Sequence, residues 1–170
     1  MPLPLVTPRL IIRRNLPEDV DAAVKIYGDP EVKRYLSNSK PDTYEQIRKR
    51  ILDRAGFEER FGVTVWAVVE KASGEMIGSC GLFPIEGKGP GIEIAYHFRR
   101  DVWGRGYASE AAAACLAYGL NELKIPRVIG LVDEENIASC RVLEKIGMVR
   151  EGTGWYYERE LVVYALSLQH

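Results

Sequence analysis

Asp101-Val102-Trp103-Gly104-Arg105-Gly106-Tyr107-Ala108-Ser109-Glu110 joins a run that alternates like a strand to an alanine-rich run with the period of a helix. Gly104 and Gly106 permit a sharp turn and close approach of a ligand, and a helix opening there presents unpaired N–H groups and the positive end of its dipole. That is the makeup of an anion cradle, suited to a pyrophosphate. A plain strand-to-helix turn uses the same residues, so the flanking chain has to decide. Two better-known phosphate motifs are excluded: no Lys-Ser/Thr pair follows the glycines, and Ser109 stands where a dinucleotide fold has its third glycine.

Upstream, Gly91 to Phe98 reads as a strand with Ile92, Ile94, Tyr96 and Phe98 on one face and Glu93, Ala95 and His97 on the other. Titratable groups therefore run directly into the glycine turn. Downstream, Ala108, Ala111, Ala112, Cys115, Leu116, Gly119 and Leu123 recur at helical spacing, as small residues do when a helix packs closely on a sheet. Arg127 to Val132 is the next strand. Strand, turn, helix and strand form one crossover unit, whose strands should be parallel neighbours with the glycine turn at a carboxyl end, where open sheets bind ligands.

Further out, Thr7 to Arg14 reads as a first strand and Pro17 to Tyr27 as a helix. A short turn or helix from Asp29 to Leu36 precedes a second long helix from Thr43 to about Glu59, with Ile47, Ile51, Leu52 and Ala55 facing inward. Val63 to Glu70 and Met76 to Pro84 make a hairpin, and Glu86 to Gly91 a turn. Ile137 to Ile146 is a last helix closed by Gly147, followed by paired strands at Met148 to Tyr157 and Glu160 to Leu168. The pattern predicts an α+β fold: a mixed, mostly antiparallel sheet of about seven strands flanked by about four helices.

The 170 residues, 46% hydrophobic and 28% charged, suffice for a single soluble domain over residues 1–170. A net charge of -1, with acidic and basic residues interleaved as between Glu45 and Arg60, leaves no footprint for nucleic acid. Met1 to Leu5 is too short and proline-broken for a signal peptide, and no stretch is built to span a membrane. Cys80, Cys115 and Cys140 read as reduced thiols of a cytoplasmic protein, and with only His97 and His170 for histidines no metal site is expected.

Five stretches together carry a resemblance: Thr7-Pro8-Arg9-Leu10, Gly74-Glu75-Met76-Ile77-Gly78, Glu93-Ile94-Ala95-Tyr96, Trp103 through Glu110, and Asn136 through Met148. In this order the chain resembles the GNAT superfamily of acyl-CoA-dependent N-acyltransferases, and within it the RimJ- and RimL-type ribosomal-protein N-terminal acetyltransferases. The resemblance covers nearly the whole chain. It implies the GNAT fold, acetyl-CoA as co-substrate and a small-molecule or peptide amine as acceptor. Independently of it, no metal is expected, and a monomer or homodimer is the expected assembly because dimers are the commonest one for soluble proteins.

The family's acyl-CoA motif, Gln/Arg-x-x-Gly-x-Gly/Ala, falls on Asp101 to Gly106, with Asp101 in the Gln/Arg slot. Because a carboxylate repels phosphate, Asp101 is expected to point away or cap the helix while Arg99, Arg100 or Arg105 supplies the cation. By the resemblance, the backbone of Gly104, Arg105, Gly106, Tyr107 and Ala108, beside Trp103, holds the pyrophosphate. The strand edge with Tyr96 and Phe98 takes the pantetheine arm. Asn136 is an N-cap by its own chemistry and a coenzyme contact by the resemblance, with Arg141 and Lys145 further along the same helix. Ser139 is implied to lie near the coenzyme sulfur, and Leu143 occupies the position where many members carry an acid tyrosine.

The implied reaction is direct acetyl transfer to a free amine. Glu93 is the first candidate base, directly or through water, and His97 the second, against the plain readings of a solvated carboxylate and a satisfied histidine. Backbone N–H groups from Tyr96 to Phe98 would hold the oxyanion. Cys140 has no histidine nearby in sequence to activate it and reads as a packing thiol. Val32 to Thr43 and Trp155 to Glu160 are expected to line the acceptor site, where aromatics and carboxylates could bind a cationic amine. An edge strand kept soluble by its charges would look the same. A second function stays open: an acyl-CoA-binding or sensing module with weak or no catalysis, suggested by Asp101 and Leu143.

Overall fold

The computed structural model describes residues 3–169; Met1, Pro2 and His170 lie outside the described residues. Eight strands and five α-helices follow one another as β1 (Leu5–Val6), β2 (Leu10–Arg13), α1 (Val20–Tyr27), α2 (Pro30–Lys33), α3 (Tyr44–Phe61), β3 (Val65–Glu70), β4 (Met76–Pro84), β5 (Ile92–Phe98), α4 (Tyr107–Ala117), β6 (Arg127–Val132), α5 (Ile137–Lys145), β7 (Val149–Tyr156) and β8 (Arg159–Ser167). The class is α+β, as expected. The eighth strand is β1, whose two residues are too few for periodicity to register, and the fifth helix is α2, four residues within the short turn or helix expected from Asp29 to Leu36.

All eight strands form one sheet in the order β1-β2-β3-β4-β5-β6-β8-β7. Every neighbouring pair is antiparallel except β5 and β6, which are parallel, as the crossover unit requires. Their pairing is brief. Only Ile92↔Val128 and Glu93↔Ile129 are in register, after which the strands part and residues 94–98 have no strand on that side. On its other edge β5 is fully paired with β4, from Gly78↔Phe98 to Pro84↔Ile92. The last strand, β8, enters between β6 and β7 and displaces β7 to the edge.

The central strands are buried on both faces, which is why β3 is apolar from Val65 to Val69. Its Trp66 and Val68 belong to the core under α4, with Ile77, Cys80, Leu82, Ala111 and Cys115. Its Ala67 and Val69 belong to the core under α1 and α3, with Ala23, Ile26, Tyr27, Ile47 and Ile51. The inward face of α3 differs from the one expected: Leu52 and Ala55 are exposed, and Arg54 is buried in their place. An apolar periodicity cannot announce a buried guanidinium. This one is accommodated because Arg54 donates to Asn15 Oδ1, Ser79 Oγ and the Tyr27 hydroxyl at 3.0, 3.2 and 2.8 Å.

Close backbone approach between β3 and β4 depends on Gly81, where a Cβ would lie 2.2 Å from the Thr64 carbonyl oxygen and 2.7 Å from the Val65 Cα. Gly81→Ala should therefore force the strands apart and lower stability by about 2 kcal/mol in denaturant unfolding. An unchanged midpoint would show that the strands part there without cost.

Candidate active site

The glycine turn closes β5 and opens α4. Gly104 and Gly106 have φ of 77° and 81°, which an L side chain adopts only with strain. Gly106 is the N-cap of α4 and offers no side chain to its first N–H groups, and nothing lies within 4 Å of where a Cβ of Gly104 would sit. These are the features an anion cradle needs: open space, free donors and a positive helix end. Trp103 is fixed at its rim, because its Nε1 donates to the Phe98 carbonyl at 2.8 Å.

From behind, the turn is clamped by the first strand pair. Glu110, on the first turn of α4, accepts from Thr7 Oγ1 at 2.7 Å and from the backbone N–H of Arg9 at 2.9 Å. The Arg9 side chain adds Nε to Glu110 Oε2 at 2.7 Å and Nη1 to the Arg105 carbonyl at 2.8 Å, and its guanidinium lies 4.3 Å over the Tyr107 ring. The Thr7-Pro8-Arg9-Leu10 stretch thus has a physical role a hundred residues away.

Asp101 does not cap α4. Its exposed carboxylate accepts from Arg99 Nε at 2.5 Å, which holds it below the usual carboxylate range. Arg99 is further drawn to Glu75 at 3.5 Å, and Arg100 Nε lies 3.2 Å from Asp29 Oδ2, so both are matched to acids. Neither lines the cleft, nor do Arg105 and Lys145.

The two faces of β5 carry different chemistry. On the α4 side, the Tyr96 hydroxyl donates to the Ser139 carbonyl at 3.1 Å and lies 2.8 Å from Ser139 Oγ; burial drives its pKa upward, keeping it protonated. Ser139 is positioned by Asn136, whose Oδ1 caps α5 by accepting from the Ser139 N–H at 3.2 Å. Leu143 is wholly buried and packs over Gly130, where a Cβ would come 2.7 Å from its Cδ2. Tyr96 therefore brings a phenol to α5 from the strand.

On the α1 and α3 side, desolvation raises the Glu93 carboxyl to about 7, against the lowering effect of the Tyr157 hydroxyl, which donates to Oε2 at 3.0 Å. Tyr157 also receives at its hydroxyl the N–H of Glu86 at 3.0 Å and gives its own N–H to Glu86 Oε1 at 2.9 Å. It belongs to a two-residue hairpin loop with Glu158, both at positive φ (52° and 61°), where Asn-Gly would be unstrained. Sequence reasoning placed this tyrosine in the acceptor wall but did not foresee its bond to Glu93; the signal was a Tyr-Glu pair at a position that favours Asn-Gly. His97, at the other end of the face, lies 3.3 Å by Nδ1 from the Tyr27 hydroxyl. Desolvation, aided by Arg50, Arg54 and Lys33, lowers it to about 3, so it stays neutral at ordinary pH.

A cleft of about 1220 Å³ unites these groups. Its lining includes Glu93, Tyr96, His97, Phe98, Trp103, Gly104, Gly106, Tyr107 and Ala108, together with Asn136, Ser139 and Arg141. The expected acceptor wall is brought in by residues 32–38, Tyr157 and Arg159, while Trp155 lies outside, exposed on β7. Arg159 ties the wall together, bonding the Tyr35 carbonyl and, at 3.1 Å, Asp133 Oδ2. The free thiol of Cys140 adjoins Ser139 but does not line the cleft.

The acetyltransferase (GNAT) domain model matches residues 9–149. The chain belongs to the GNAT acetyltransferase family. As a member it is an acyltransferase that draws on acetyl-CoA. It is 39% identical over 164 residues to the uncharacterised protein YkkB of Bacillus subtilis, covering 94% of this chain and 93% of that one. A crystal structure of a GNAT-family acetyltransferase from Bacillus anthracis superposes with a TM-score of 0.84 at 28% identity, covering 98% and 99% of the two chains. A RimL ribosomal L7/L12 α-N-protein acetyltransferase in complex with coenzyme A shares the fold at a TM-score of 0.80 and 17% identity, over 98% of each chain.

Because the Tyr157 hydroxyl donates to the Glu93 carboxylate and so favours its ionisation, Tyr157→Phe should move the Glu93 midpoint above about 7 in a carboxyl-labelled NMR titration. A midpoint that stays put or falls would remove that bond from the account. Linkage gives an independent check. Because burial lifts the folded carboxyl above its ordinary value of 4.5, the wild type loses stability relative to Glu93→Gln as pH rises from there through about 7, so the variant's melting advantage should be larger at pH 8 than at pH 5.

Proposed function

We propose that residues 1–170 act as one cytoplasmic N-acetyltransferase domain that passes an acetyl group directly from acetyl-CoA to a primary amine, with Glu93 as base. The observation that carries this reading is a carboxyl poised at about 7 in the cleft, on the strand whose neighbouring edge is open. Bound acetyl-CoA supplies the activated acyl carbon and a thiolate leaving group. The amine must attack as the free base. At pH 7, deprotonation costs roughly 1.4 kcal/mol for an α-amine of pKa about 8 and roughly 4.6 for a lysine-like amine near 10.4. A base of pKa near 7 suits the first far better, which favours a protein or peptide N-terminus, or a small amine of similar basicity. That preference agrees with the activity named for the RimL structure.

The remaining chain divides the work. The N–H groups at Gly104 to Ala108 would hold the pyrophosphate, the free edge of β5 around Tyr96 to Phe98 the pantetheine arm, and Arg141 the coenzyme side of α5. Tyr96 and Ser139, hydrogen-bonded to one another, are placed to return a proton to the departing thiolate. His97, too weak a base at about 3, acts as a neutral hydrogen-bonding wall of the acceptor site. The grounds for a non-catalytic acyl-CoA sensor weaken accordingly, since Asp101 is satisfied by Arg99 and Tyr96 brings the hydroxyl that Leu143 lacks.

Thiol release measured over a panel of peptides and amines tests the reading. Glu93→Gln should reduce kcat about a hundredfold or more and abolish the rise of kcat/KM through about pH 7. Tyr96→Phe and Ser139→Ala should cost less, about tenfold each, because a thiol of pKa about 8.5 needs little acid help. Acetyl-CoA binding without turnover on any amine would instead establish the sensor.

A further inference from the structure

The acceptor side of the cleft, walled by α1, α2 and α3, holds more positive charge than it neutralises. Lys33 Nζ lies 2.9 Å from Asp42 Oδ1 and Arg50 Nη1 lies 2.6 Å from Asp42 Oδ2, so two cations share one carboxylate. Arg54, 5% exposed, spends its bonds on Asn15, Ser79 and Tyr27 and has no acid partner among the described residues. Asp19, which feels its charge, is already bidentate with Arg13 at 2.8 and 2.9 Å. Four cations therefore face two anions. The neighbouring charges pair among themselves, Lys49 with Asp53, Arg34 with Glu31 and Arg100 with Asp29, and do not cancel the surplus.

This surplus reaches the cleft. Tyr27, Lys33, Arg50, Arg54 and His97 all contribute to its lining. The Arg50 and Arg54 guanidinium carbons lie 4.4 and 5.7 Å from the centre of the Tyr27 ring, whose hydroxyl meets His97. Their field is one reason the imidazole stays neutral. Uncompensated cations withdrawn from water are costly, and an anion arriving from the cleft offsets that cost. The Arg50 side chain, 36% exposed, is the member most able to reach a ligand.

We propose that the Lys33–Arg50–Arg54 cluster is a subsite for an anionic group of the acceptor, so that the substrate is an amine that also carries a carboxylate. The inference rests on the acetyltransferase reading and extends it to substrate class. Glu93 and His97 stand four residues apart on β5, about 13 Å along the strand. An amine presented to Glu93 and a carboxylate drawn toward Arg50 thus belong to one molecule only if several bonds separate them. Short peptides with an acidic residue near the N-terminus and ω-amino acids meet that condition; an α-amino acid does not.

The test is calorimetric titration of the CoA-loaded protein with ω-amino carboxylates of increasing length, their methyl esters, and tripeptide pairs with Asp or Asn at the second or third residue. The free acids should bind about tenfold or more tighter than their neutral partners. In Arg50→Gln that preference should fall below about threefold, and Arg50→Lys should restore part of it. Equal binding of acid and neutral partner, a preference that survives Arg50→Gln, or no binding of any compound overturns the proposal. Turnover of the same compounds is read in parallel. Preference in binding without turnover keeps the anion subsite and sinks acetyl transfer, whereas turnover without preference does the reverse.

Discussion

The parting of β5 and β6 after two residue pairs is the constraint on which the rest of the molecule turns. A strand edge inside a sheet must find partners for its N–H and C=O groups, and over residues 94–98 β6 does not provide them. An extended ligand arm laid along that edge can, in the manner of an added strand. The glycine turn and α4 start where this open edge ends, and α5 starts just beyond β6. One geometric event therefore sets a hydrogen-bonding edge, a helix N-terminus and the Tyr96–Ser139 contact around a single gap.

The same strand separates two electrostatic environments. Its α4 face carries hydroxyl groups and its other face ionisable ones, with Glu93 and the cationic cluster at opposite ends. The two ends act separately: desolvation and Glu86 raise the Glu93 carboxyl, and none of the cations near His97 is among its perturbers. About 13 Å of strand and the protein between them account for that. Were Arg50 or Arg54 close enough to stabilise the carboxylate, Glu93 would be held low and would ionise well below neutral pH.

What could be read from the chain alone was whatever depends on neighbours in sequence. Gly104 and Gly106 at positive φ, Asn136 capping α5, and a parallel pair across the β5–α4–β6 crossover all follow from local rules and hold in the structure. The sheet's α+β character followed from the same signals. Contacts between distant residues were not legible. The insertion of β8 between β6 and β7, the burial of Arg54 among Asn15, Tyr27 and Ser79, and the hold of Tyr157 on Glu93 each join segments dozens of residues apart. The pairing of Arg99 with Asp101 is instructive in another way. It joins residues only two apart, yet their mutual satisfaction depends on side-chain rotamers that sequence spacing does not fix.

That pairing explains how a carboxylate comes to sit in an anion cradle without spoiling it. Asp101 is 64% exposed and 2.5 Å from Arg99 Nε, so the pair is nearly neutral and any residual field is screened by water and salt. On the proposed reading, a pyrophosphate cradle would then need no dedicated side-chain cation. Its positive character comes from the uncapped N–H groups of α4 and the helix dipole, and its shape from the Arg9–Glu110 clamp behind it. Backbone donors are fixed by the fold, whereas a long basic side chain must be ordered on binding at an entropic cost. A cradle of this kind depends more on the integrity of its turn than on any one charge. The conformation at Gly104 and Gly106, and the clamp that holds it, therefore shape the turn more than the identity of residue 101 does.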